Sequence, residues 1–143
     1  MYSASQRIVV PPTVEWLDLR SVLVAWKDVR EARRAIFDAL PILAAAKEVT
    51  IAEIPEQDGR HADAVSHVGD VAAWLRGHGI AANTVVPEKA GGVTGQLENI
   101  AAHVGAGVVI AGAYGHSRFR EWVLSGVTRH LATESRRCAF LSR

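Results

Sequence analysis

Only one of the 143 residues is cysteine, which excludes an internal disulfide and any cysteine-rich metal cluster. Cys138 lies in the apolar stretch 138–141, where it is expected to pack as a small hydrophobe. Charge of one sign is not in excess. Sixteen Lys and Arg against fifteen Asp and Glu leave a formal +1, with the signs interspersed, so composition supplies no drive toward nucleic acid. No apolar run is long enough to span a bilayer, and residues 1–7 lack the basic and apolar regions of a secretory signal; the expectation is a cytoplasmic protein with no membrane partner. His61, His67, His78, His103, His116 and His130 are scattered without compact ligand spacing, so no metal site is expected. What the chain does have is 49% hydrophobic residues, on a length that buries about 70% of the unfolded surface as one domain.

The apolar residues fall into a repeating order. From Ser21 onward, short β-branched runs alternate with longer stretches of helical period. Strands are expected at 22–26, 49–54, 80–86, 107–111 and 138–141. Helices are expected at 31–46, kinked by Pro41, at 63–77 with Val65, Val68, Ala72 and Leu75 on one face, at 94–103 and at about 119–134. Such alternation implies a mainly parallel sheet with helices on both faces and right-handed crossovers, and ligands in folds of this kind sit at the carboxyl ends of the strands. Residues 1–20 form a separate extension, in which Arg7-Ile8-Val9-Val10-Pro11-Pro12 reads as an extra strand before the domain at 21–143. The expectation is that residues 8–10 add to a sheet edge near Cys138 and Leu141, in this chain or in a neighbour.

The segment from Val108 to Arg118 carries the clearest chemical signal. A buried strand ending at Ala111 passes into Gly112-Ala113-Tyr114-Gly115, then His116-Ser117-Arg118 and a helix. Glycines at a strand end allow close backbone approach, and the first N–H groups of a helix favour an anion, so this turn can cradle phosphate. Ser125-Gly126-Val127-Thr128 supplies a second turn of small residues for the same ligand. Ser117 reads as a helix N-cap, and Arg129 and His130 either draw phosphate or lie on a solvated helix face. A nucleophilic serine needs a base and an orienting acid that the sequence does not reveal, so no enzyme activity beyond a weak ATPase is expected. Trp16, Trp26, Trp74 and Trp122 are expected as core or interface anchors, Trp26 lying beside the site.

Gly112-Ala113-Tyr114-Gly115-His116-Ser117-Arg118-Phe119-Arg120-Glu121, followed by Gly126-Val127-Thr128-Arg129-His130, resembles the C-terminal signature of the universal stress protein family, Gly-x2-Gly-x9-Gly-(Ser/Thr). Further landmarks are Val22-Leu23-Val24-Ala25-Trp26, Gly69-Asp70-Val71-Ala72-Ala73-Trp74-Leu75 and Gly77-His78-Gly79, so the resemblance covers residues 22–143. It implies a doubly wound α/β fold of the adenine nucleotide alpha hydrolase-like kind, with flavodoxin-like layering and a five-stranded parallel sheet in the order 3-2-1-4-5. That order implies a crevice between Trp26, Lys27 and Asp28 on one side and Ala111 and Gly112 on the other, completed by Gly115, His116, Ser125, Gly126, Val127 and Thr128. The resemblance also implies ATP or AMP as ligand, with magnesium if ATP, and a homodimer through the last strand, with residues 8–10 as a further pairing segment. In tandem bacterial members a strand like 7–10 closes the first repeat, so the chain resembles a C-terminal repeat. Two departures bear on the ligand. Ser125 stands where the signature has Gly and Gly126 where it has Ser or Thr, and Lys27 stands where nucleotide-binding members place an Asp that accepts hydrogen bonds, which lysine cannot do. The resulting expectation is a dimeric regulatory or protective protein with a degenerate nucleotide loop; the alternative is an ATP- or AMP-binding stress sensor.

Overall fold

Val22-Leu23-Val24 and Val108-Val109-Ile110 are apolar at every position, a pattern that only a strand covered on both faces accommodates. Both lie at the centre of the sheet. The computed structural model describes residues 6–112, 126–133 and 135–142. Their elements run β1 (Gln6–Val9), β2 (Ser21–Ala25), α1 (Arg30–Asp38), α2 (Leu40–Ala45), β3 (Glu48–Ala52), α3 (His61–Gly77), β4 (Asn83–Val85), α4 (Val93–Val104), β5 (Val108–Gly112), α5 (Gly126–Thr133) and β6 (Cys138–Ser142).

The strands form one six-stranded sheet in the order β1-β6-β5-β2-β3-β4. The neighbouring pairs from β4 across to β6 are parallel, whereas β1 runs antiparallel to β6, with Val9 opposite Ala139 and Gln6 opposite Ser142. The sheet is therefore mixed and not wholly parallel, because residues 10–20 return the chain from β1 to the start of β2 without a crossover helix. Two apolar layers flank it. Val22, Val24, Ile51, Val108, Ile110 and Phe140 pack with α1 and α3 on one face; Leu23, Val109, Ala139 and Leu141 pack with α4 and Leu131 of α5 on the other. Cys138 is buried in the first layer, and that burial pushes its thiol pKa up.

Three expectations are corrected here. The helix expected over 31–46 is two helices, because Pro41 enters the first turn of α2, where its missing N–H is harmless, and Ala39 both ends α1 and begins α2. The strand expected over 80–86 pairs with β3 only at Asn83–Val85, while Ile80 is buried in the core ahead of it. Val65 is exposed; it lies about 80° round the helix from the centre of the buried face formed by Ala64, Val68, Val71, Ala72 and Leu75.

Candidate functional site

The order of the sheet places the ends of β2 and β5 side by side, with Ala25 opposite Ala111. Chain connections leave this point in opposite directions along the sheet, β2 leading to β3 and β5 to β6, so the helices that follow cannot close over it, and a crevice opens there. Its cavity volume is about 520 Å³. The first wall is the end of β2, from Ala25 through Trp26, Lys27 and Asp28. Trp26 continues the ladder by donating its backbone N–H to the carbonyl of Ala52 at 2.7 Å. Its side chain is 93% removed from solvent in the core while also lining the crevice, and its indole N–H has no partner among the described residues.

Ala111 and Gly112 form the second wall. Gly112 is the last residue of β5 and not yet part of a turn. A Cβ built there would stand 2.6 Å from the backbone nitrogen of Ala32 and from the carbonyl carbon of Glu31. The glycine therefore lets the first turns of α1 rest directly on the end of β5, a packing role that the phosphate reading of the sequence did not include. Val127 of α5 completes this side. Gly126 and Thr128 lie in the same helix, whereas Gly115, His116, Ser117 and Ser125 fall outside the described residues.

The third wall comes from the end of β3 and the start of α3, and sequence reasoning missed it. Glu53, Glu56, Arg60, Asp63 and His67 all line the crevice. The Nδ1 of His67 lies 3.0 and 3.2 Å from the two carboxylate oxygens of Glu53, and its Nε2 lies 3.7 Å from Oδ2 of Asp28. An ionised Glu53 accepts only, so Nδ1 carries the proton and the ring is held by its orienting carboxylate, with Nε2 directed to the Asp28 side. Asp28 is in turn bound by Arg33 at 2.6 Å. Lys27 pairs with Glu56 at 3.7 Å and Arg60 with Asp63 at 2.9 Å. Both cations that line the described wall thus already face a carboxylate. The oriented imidazole is the kind of group that moves protons, but no serine, threonine or cysteine of the described residues shares this lining.

Other expected ligands lie elsewhere. His130 of α5 binds Glu98 at 2.8 Å, and Glu98 also receives Arg137, whose Nε donates to the carbonyl of Ala106. This network ties α4 and α5 to the foot of β6, away from the crevice. Arg129 is exposed on α5. Trp16 is exposed and the ring of Trp74 lies tilted against that of His78, 4.4 Å between centroids, while Trp122 falls outside the described residues. No group of three or more His, Cys, Asp or Glu among the described residues has the arrangement of a metal site. No described helix is long and apolar enough to cross a membrane.

A scan of known protein families gives no match to the chain, and neither does a search of curated proteins. Solved structures do match. A universal stress protein from Archaeoglobus fulgidus superposes with a TM-score of 0.71 at 14% identity, over 88% of this chain and 99% of that one. A second, from Archaeoglobus fulgidus DSM 4304, gives 0.70 at 18% identity, covering 95% of this chain and 48% of that one. UspA from Lactobacillus plantarum gives 0.65 at 15% identity, over 87% and 98%. The chain therefore has the fold of the universal stress proteins.

Proposed function

We propose that the chain is a cytoplasmic universal-stress-type protein with a regulatory or protective role, acting as a homodimer joined along its β6 edge and holding a small adenine nucleotide weakly in the crevice. The fold likeness and the position of the cavity at the strand ends support a binding role rather than a catalytic one. The observation that carries the ligand preference is the charge of the described wall. Asp28, Glu53, Glu56 and Asp63 line it against Lys27 and Arg60, and each of these cations faces a carboxylate. Adding a triphosphate to such a wall means separating those pairs or repelling the acids, whereas a monophosphate places less charge there.

Calorimetry with AMP and with ATP, each with and without magnesium, tests this. AMP is expected to bind saturably, and metal-free ATP to bind about tenfold or more weakly, a difference of ~1.4 kcal/mol. Equal or tighter binding of ATP contradicts the preference and favours the second reading, an ATP-binding stress sensor. That reading draws on the small residues Gly126-Val127-Thr128 at the start of α5, where Val127 lines the crevice.

A further inference from the structure

We infer that β1 is an internal stand-in for the β6 strand of a second copy of this chain, so that the sheet edge used for self-association is covered until β1 leaves it. The inference rests on the proposed β6 dimer and adds the element that controls it. All five residues of β6 are buried, its inner edge pairs with β5, and its outer edge is filled by β1. Among the described strands β1 alone breaks the parallel pattern, and it does so in the direction a twofold partner requires. Two identical strands related by a twofold axis across a sheet edge must run antiparallel. A β6 pair centred on Phe140 would set Phe140 against Phe140, Ala139 against Leu141 and Cys138 against Ser142, with no charge in the seam. β1 imitates this with Ile8 opposite Phe140 and Val9 opposite Ala139, but sets Arg7 opposite Leu141.

The cover is light. Gln6, Arg7 and Ile8 are exposed, and within β1 only Val9 packs on the apolar layer beneath. Elements held by ladder bonds with few buried apolar contacts open at the low end of the stability range. Pairing stops at Val9, and Pro11 and Pro12 follow, which donate no N–H to any ladder. The same prolines and Arg7 blunt the outer side of β1, so the covered chain offers a poor edge for further pairing, whereas uncovered β6 offers a good one.

Sedimentation of the full chain and of its Val9→Pro variant tests the inference, with circular dichroism to confirm folding. The wild type is expected to associate weakly and Val9→Pro to dimerise about tenfold or more tightly. A synthetic peptide of residues 1–12 in excess is expected to return the variant to monomer. The β1–β6 register, continued by one residue, sets Val10 opposite Cys138. Val10→Cys, oxidised with glutathione disulfide, therefore locks the cover and is expected to remain monomeric at every concentration, even where Val9→Pro fails to fold. A locked chain that still dimerises overturns the role of β1 while leaving a dimer reading in place. A folded Val9→Pro chain that binds the peptide yet stays monomeric overturns the β6 dimer itself.

Discussion

Gly112→Val is expected to lower the unfolding free energy by roughly 3 kcal/mol, the upper part of the range for forcing atoms into a packed site. The reason is backbone and not side chain. A Cβ at this position meets the nitrogen of Ala32 and the carbonyl carbon of Glu31 at 2.6 Å, and neither can rotate away. Relief requires α1 to lift from β5, and α1 carries Ala32, Ala35 and Ile36 into the core. It also carries Arg33, which binds Asp28 at the crevice. Loss of stability and loss of ligand are therefore expected together. Urea unfolding checks the first, with a lower midpoint at unchanged slope as the expected outcome. A midpoint within the error of the wild type would show that α1 does not rest on Gly112.

Gly107→Ala is expected to act at the opposite end of the sheet with a cost of about 1–3 kcal/mol. A Cβ on Gly107 would overlap the carbonyl oxygen and the Cβ of Asp18, so the segment 10–20 cannot keep its place. That segment is fixed by several contacts at once. Gly107 donates its N–H to the carbonyl of Ser21 at 3.0 Å, Val14 and Leu19 pack on the core, and Arg20 clasps the Asp18 carboxylate through both its side chain and its backbone N–H. The hydrogen bonds from Arg20 hold the Asp18 carboxyl down to about 2. Since the folded value lies below the unfolded one, this contribution is complete above the ordinary carboxylate range and is lost as pH falls toward 2. Displacing Asp18 should remove both the anchor and this pH-dependent contribution, so the deficit of the variant is expected to narrow as pH falls from 7 to 3. Thermal unfolding of Gly107→Ala at pH 7 and at pH 3 measures the effect. Equal melting temperatures for variant and wild type at pH 7 would refute the close packing.

The sequence made the β/α order legible where strands are apolar on every residue, as at Val22-Leu23-Val24 and Val108-Val109-Ile110, because only a doubly covered strand tolerates that pattern. It was misleading where one residue serves two elements. Pro41 in a helical pattern suggested a kink, yet the position of Ala39 between two helices depends on how each packs on the sheet. Gly112 looked like a turn glycine, and its contact with α1 depends on a crossing between elements about 80 residues apart, which no local pattern encodes.

The site divides in the same way. Trp26, Lys27, Asp28, Ala111 and Gly112 could be named because they follow strands directly, and the structure brings them around one cavity. Glu53, Glu56 and His67 belong to the next strand end and helix start. The same positional rule would have reached them, but their pairing across the crevice appears only when α3 is laid over β3. Their carboxylates turn the question from whether phosphate can be cradled to how much charge the site accepts.

An amide-shift titration of the folded chain with AMP tests the proposed ligand site, the crevice between the ends of β2 and β5. Saturable shifts are expected at Lys27, Asp28, Glu53, Ala111 and Gly112, with no change in a second cavity at the opposite end of the sheet, lined by Trp16, Asp18, Gly107 and Arg136. Shifts confined to Trp16 and Arg136, or none at millimolar AMP, would contradict the proposed site.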